Sequence, residues 1–145
     1  MNSGNQTDGS WTPFDHTADL GVDITAPTLP ELFRVAAVAL FDQMIGLEAV
    51  VPARAFPVSV TAANREELMV RWLAELLYLH DAQDLLFSRF EMEHVEETSL
   101  RGVAWGEPFD AARHQMKTGI KAVTYHQIEV RPDAGGWRGR VIFDV

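Results

Sequence analysis

Two segments of this chain carry apolar residues at helical spacing behind a matching start signal, and each must bury a stripe against something. Thr28-Leu29-Pro30-Glu31 reads as a capping box: a threonine N-cap, proline in the first turn, and glutamate three residues on. Behind it, Leu32, Phe33, Ala36, Ala37, Leu40, Phe41 and Met44 recur every three or four residues and give one apolar helix face, closed by Gly46. Asn64-Arg65-Glu66-Glu67 repeats the cap logic with asparagine. Leu68, Met69, Trp72, Leu73, Leu76, Leu77 and Leu79 then make a second, strongly apolar face. A helix of about sixteen residues is roughly 24 Å long, enough to cross a small sheet.

The sheet is legible around these helices. Leu20, Val22 and Ile24 alternate with Gly21, Asp23 and Thr25 until Pro27, the period of a half-buried strand. Phe56, Val58 and Val60 alternate likewise, and Pro57 places that strand at an edge or near its own start. After the second helix the chain is β-rich. Leu85–Val95 and Leu100–Gly106 flank a hairpin turn at Glu96-Glu97-Thr98-Ser99. Glu107–Thr118, which contains His114, is polar, irregular and long enough to be a functional loop. Ile120–Val130 alternates again with a bulge expected at His126-Gln127, Asp133–Gly136 is a turn, and Trp137–Val145 closes the chain.

The order strand, helix, strand, helix, then four strands predicts an α+β single-domain sandwich. Two helices would pack on one face of a mostly antiparallel β-sheet. The domain is expected over residues 14–145. Residues 1–13 are polar and without a basic or hydrophobic run, so they are expected to be a flexible N-terminal tail and neither a signal nor a transit peptide.

Composition narrows the function. With no cysteine among 145 residues, disulfides, thiolate metal sites and cysteine nucleophiles are excluded. That absence suits a reducing compartment, and a cytoplasmic location is expected. A net charge of −9 repels phosphate backbones and favours a basic protein partner, so any RNA would be held by another molecule. No apolar run approaches the roughly 18 residues of a membrane span, and no membrane association is expected.

The densest chemistry is Asp15-His16-Thr17-Ala18-Asp19, two carboxylates, an imidazole and a hydroxyl just ahead of the first strand. Its counterpart is Asp144, an acid inside the apolar run Val141–Val145. Asp19 is either a turn or cap residue or a ligand, and Asp144 either faces solvent or serves a site. Acids at the head of the first strand and the end of the last could meet at one sheet edge, where their oxygens, with the carboxylate of Val145, would suit a hard divalent cation. His80-Asp81 has the form of a metal-hydrolase dyad, or is a histidine favoured at a helix C-terminus. Lys121, Thr124, Tyr125 and His126 concentrate polar groups on one strand, as a solvated face or a functional surface. No glycine-rich phosphate loop and no Gly-x-Ser-x-Gly elbow occurs.

Six stretches taken together resemble the archease family: Phe14-Asp15-His16-Thr17-Ala18-Asp19-Leu20-Gly21, Ala39–Met44, Trp72–Leu79, Gly106-Glu107-Pro108-Phe109-Asp110, Ile120–His126 and Val141–Val145. The resemblance runs from Phe14 to Val145. It implies an accessory protein, not itself an enzyme, that promotes guanylation and multiple turnover of an RtcB-type RNA-splicing ligase in tRNA splicing or RNA repair. GTP and RNA would be held by the ligase. It also implies a divalent metal (Ca²⁺, or Mn²⁺/Mg²⁺) on Asp19, Asp144 and Val145. The ligase-activation surface would be formed by His16, Thr17, Lys121, Thr124 and His126. The alternatives are a chaperone or modulator of RNA-modifying enzymes and a stand-alone metal-dependent hydrolase. The turn Asp81-Ala82-Gln83-Asp84-Leu85 departs from the acid-and-glycine pattern common in the family.

Overall fold

The structure, a computed structural model, describes residues 9–16 and 19–145, with the side chains of residues 15 and 16 outside that description. In chain order the elements are β1 (Ser10–His16), β2 (Asp19–Ala26), α1 (Leu29–Met44), β3 (Arg54–Thr61), α2 (Arg65–Gln83), β4 (Leu85–Val95), β5 (Ser99–Pro108), β6 (Ala122–Val123), β7 (Glu129–Asp133) and β8 (Gly136–Asp144). A short 3₁₀ turn, Leu47–Ala49, follows α1.

Both helices begin where their caps place them. Thr28 Oγ1 accepts the Glu31 N–H at 3.2 Å, and Asn64 Oδ1 accepts the Glu67 N–H at 2.9 Å. Glu67 returns the favour by accepting the Ala63 N–H at 2.6 Å, so that orphan donors are satisfied on both sides of the cap. Glu31 turns instead to Arg34, at 2.7 Å. Helix α1 ends at Ile45, and Gly46 follows with φ +86°, the left-handed region that glycine enters without strain.

The fold is α+β and its strand pairings are antiparallel. The strands form two sheets, however, where one was expected. The first runs β1-β2-β8-β6 with β7 also on β8, and the second runs β3-β5-β4. Helix α1 packs on β2 and β8 of the first sheet and on β4 of the second. Helix α2 packs on β3 and β5 of the second and on β6 and β7 of the first. The physical reason lies in α1, where Val35 and Ala39 are buried beside the expected stripe. That wide apolar surface is shared between the two sheets.

The core joins the two sheets through the helices. Phe41 of α1 stacks edge-on to Phe87 with ring centroids 5.3 Å apart, and Phe56 meets the same ring at 5.6 Å. The buried Trp72 of α2 donates its indole N–H to the Phe33 carbonyl at 3.0 Å, which ties α2 to α1 and leaves no polar group unsatisfied there.

Two further expectations are corrected. Residues 10–13, assigned above to a tail, lie in β1, paired with β2 from Ser10↔Thr25 through His16↔Asp19. Trp11 packs against the core and Ser10 Oγ lies 3.1 Å from Thr25 Oγ1, which gives this polar stretch its reason to be ordered. The expected strand Ile120–Val130 is two strands, β6 and β7, parted by a turn at 124–128. Both strands run the same way along β8, and the register shifts by three residues between Val123↔Phe143 and Glu129↔Arg140. The chain therefore bulges out at His126-Gln127 as expected, with Gln127 at φ +53°, but by more than one residue. Residues 1–8 and Thr17 lie outside the described residues.

Candidate functional site

Strand β2 shows its core side at Val22, Ile24 and Ala26, all buried. By the two-residue period, Asp19, Gly21, Asp23 and Thr25 belong to the outer face. Across the ladder, β8 places Asp144 opposite Asp19, Ile142 opposite Gly21 and Arg140 opposite Asp23. The two acids singled out at opposite ends of the sequence are therefore direct cross-strand neighbours.

Backbone hydrogen bonds define the type of that pair. The carbonyls of Asp144 and Ile142 accept from Lys121 at 2.7 Å and Thr124 at 3.0 Å, on the β6 side. Their polar groups thus point away from β2, and Asp19↔Asp144 is a non-hydrogen-bonded pair. Such pairs bring Cα atoms to about 4.5 Å and side chains closer than the alternate pairs do. Like charges placed directly opposite oppose folding. A hard cation between them would remove that repulsion, and an all-oxygen donor set suits Ca²⁺, Mg²⁺ or Mn²⁺. Asp19 is half-buried, Asp144 is exposed, and Val145 follows at 37% exposure with main-chain oxygen beside them.

The other singled-out residues gather at the same end in different capacities. Lys121 is exposed, and its backbone is pinned to Asp144. Thr124 gives both its N–H and its hydroxyl (2.8 Å) to the Ile142 carbonyl, and its Oγ1 accepts the His126 N–H at 3.3 Å. Its hydroxyl therefore clasps the turn to β8. His126 is exposed in that turn. His16 takes the register position opposite Asp19, while its side chain and Thr17 lie outside the described residues.

One row further in, Arg140 holds Asp23 with two bonds of 2.8 and 3.0 Å and reaches the Gln127 side chain at 3.2 Å. The Asp23 hydrogen bonds raise the pKa of this guanidinium above its usual value. Arg140 also lies 4.5 Å above the Phe14 ring, which covers Gly21 so closely that a Cβ there would collide with it. This stack fastens β1, β2, β8 and the 124–128 turn into one surface beside the acid pair.

A second buried polar cluster was not legible in the sequence. Glu107 accepts from the Val51 N–H at 2.8 Å, from Arg113 at 2.6 and 3.3 Å, and from His114 Nε2 at 2.9 Å. The Asp110 N–H donates to His114 Nδ1 at 2.8 Å, so Nδ1 is the bare nitrogen and Nε2 carries the proton that Glu107 accepts. The Arg113 hydrogen bonds, with those from Val51 and His114, hold the Glu107 carboxyl down at about 2 against the cost of burial. The expected functional loop is thus tied down by structure at its start. The only sequence signal was a seven-residue spacing between an acid and a histidine.

His80 likewise has a local task. Its Nδ1 donates to the Leu85 carbonyl at 2.8 Å and its ring stands edge-on to Phe41, binding the end of α2 to the start of β4. Among the described residues no three His, Asp or Glu side chains are grouped to hold a metal, at His80 or elsewhere.

Comparison with known proteins bears on the whole chain. Residues 11–145 match the family model described as "Archease protein family (MTH1598/TM1083)". The chain belongs to the archease family. It is 37% identical over 135 residues to Protein archease of Methanosarcina mazei, covering 90% of this chain and 92% of that one. To Protein archease of Methanopyrus kandleri it is 36% identical over 138 residues, covering 93% and 99%. The solution structure of Methanobacterium thermoautotrophicum protein 1598 superposes with a TM-score of 0.81 at 36% identity, covering 93% of this chain and 98% of that one. An archease from Thermotoga maritima, named a possible chaperone, shares the fold with a TM-score of 0.63 at 18% identity, covering 92% and 96%. The archease family match begins at Trp11, within the strand that the sequence had hidden.

Proposed function

We propose that this archease-family chain is a metal-binding accessory protein that promotes guanylation and multiple turnover of an RtcB-type RNA-splicing ligase, in the cytoplasm, without turnover of its own. The observation that carries the reading is the Asp19↔Asp144 register pair, with the Lys121 backbone bonded to Asp144 beside it. Asp19 and Asp144, with main-chain oxygen of Val145, would hold the divalent cation. The cation would supply charge compensation between two facing carboxylates. Lys121 and His126 stand exposed at the same end, as groups that can approach a partner's anionic ligand. GTP and RNA would stay on the ligase, in keeping with a net charge of −9 that disfavours phosphate binding.

The test is the purified chain added to its cognate ligase with GTP and Mn²⁺, with guanylation and multiple-turnover ligation followed. Activation is expected from the natural chain and is expected to be lost in Asp19→Ala and Asp144→Ala, which leave the apolar core intact. No activation by the natural chain would sink the proposal, and normal activation by either variant would sink the site.

A further inference from the structure

The second sheet ends at β3, which has a neighbour on one side only. The Ala62 N–H donates to the Thr98 carbonyl at 2.9 Å, which fixes the alternation of the β3–β5 ladder. Val60↔Leu100 and Val58↔Gly102 are then the hydrogen-bonded pairs, and Ser59 and Thr61 turn their N–H and C=O groups away from β5. Pro57 falls in that outward set, where its missing N–H costs the ladder nothing and blunts the first half of the edge. The half from Ser59 to Thr61 carries no proline, charge or bulge, the usual guards of an edge strand.

Across from this edge, an open cleft of about 510 Å³ is walled by α2 through Arg71, Ala74, Glu75 and Tyr78. Arg71 is engaged by Glu67 at 3.4 Å. Glu75 has no ion-pair partner among the described residues. Tyr78 is 59% exposed, and beyond it a second cleft of about 280 Å³ is lined by both Asp81 and Lys121. The cleft thus offers unpaired main-chain groups on one wall, an aromatic at its rim, and the carboxylate of Glu75 without an ion-pair partner among the described residues.

We infer that this cleft docks an extended basic segment of a partner protein, which joins the second sheet as a fourth strand beside β3. Main-chain bonds to Ser59 and Thr61 would supply affinity, and a lysine or arginine facing Glu75 would supply selectivity. A second copy of this chain is disfavoured as the occupant, because it brings its own charge of −9. The inference is independent of the cation site.

The experiment is a titration of the ¹⁵N-labelled full chain, without metal, by the blocked peptide Lys-Val-Lys-Val-Thr-Val-Lys-Val and by its glutamate-for-lysine counterpart. Saturable shifts are expected at the amides of residues 59–61 and 71–78 with the basic peptide, and binding of the acidic one should be about tenfold weaker or worse. Ser59→Pro should remove the shifts while the remaining amide spectrum stays folded. Should that variant fail to fold, Glu75→Lys on the helix surface decides, because it should reverse the preference toward the acidic peptide. Shifts absent from residues 59–61, equal binding of the two peptides, binding unchanged in a folded Ser59→Pro, or a preference unreversed by Glu75→Lys would each overturn the inference.

Discussion

Glu107 accepts hydrogen bonds from Val51, Arg113 and His114 at once, so its charge is part of the structure of the loop it opens. Its carboxyl is held at about 2 against an ordinary value of 4.5. A group depressed in the folded state stabilises above its unfolded pKa and loses that contribution as pH falls through the folded one. Stability should therefore be level above pH 4.5 from this source and decline between 4.5 and about 2. Glu107→Gln should flatten that decline and cost about 2 kcal/mol at neutral pH, as charge-assisted bonds are lost. Acid titration of unfolding in both proteins checks it, and an unchanged acid limb would refute it. Asp84 offers the opposite sign. It closes α2 with φ +55°, in the left-handed region that a Cβ disfavours. Asp84→Gly should raise stability by about 0.5 kcal/mol, read from denaturant midpoints, because relief of strain exceeds the added freedom of the unfolded chain. A loss of stability would show that the aspartate side chain matters more than the backbone strain.

At the scale of elements, the caps carry measurable weight. Asn64→Ala should cost about 1 kcal/mol, since the Glu67 N–H loses its acceptor at the head of α2. An unchanged melting temperature would mean that tertiary packing alone fixes where the helix starts. These helix starts were readable because caps and apolar period are local. Strand β1 was not readable: Thr12, Pro13 and Asp15 interrupt any alternation, and what orders the strand is the ladder to β2. The same holds for β6, whose two residues are held by β8 and whose neighbours belong to a turn. Asp19 and Asp144 were legible as a candidate pair because an acid in an apolar strand end is conspicuous. The Glu107–His114 bond was not, because nothing local says that an irregular loop folds back on its first residue.

For the whole molecule, the sequence indicated the class of architecture, and packing decided its layering. Helix α1 buries Val35 and Ala39 beside its main stripe, and both helices pack on both sheets. The first of those sheets brings the head of β2 and the tail of β8 to one end, where Asp19 and Asp144 supply two of the acidic charges of a chain whose net charge is −9. Approach to the basic surface of the proposed ligase partner should be steered by the net charge of the chain, so stopped-flow association should slow as salt rises. A salt-independent on-rate would point to another mode of contact. The most direct test of the cation site is calorimetric titration of the chain and of Asp19→Asn and Asp144→Asn with Ca²⁺ and Mn²⁺. The account predicts saturable binding at one site per chain, accompanied by a higher melting temperature. It also predicts loss of both in either variant while unfolding stays cooperative. Absence of binding by the natural chain, or binding retained in either variant, would contradict it.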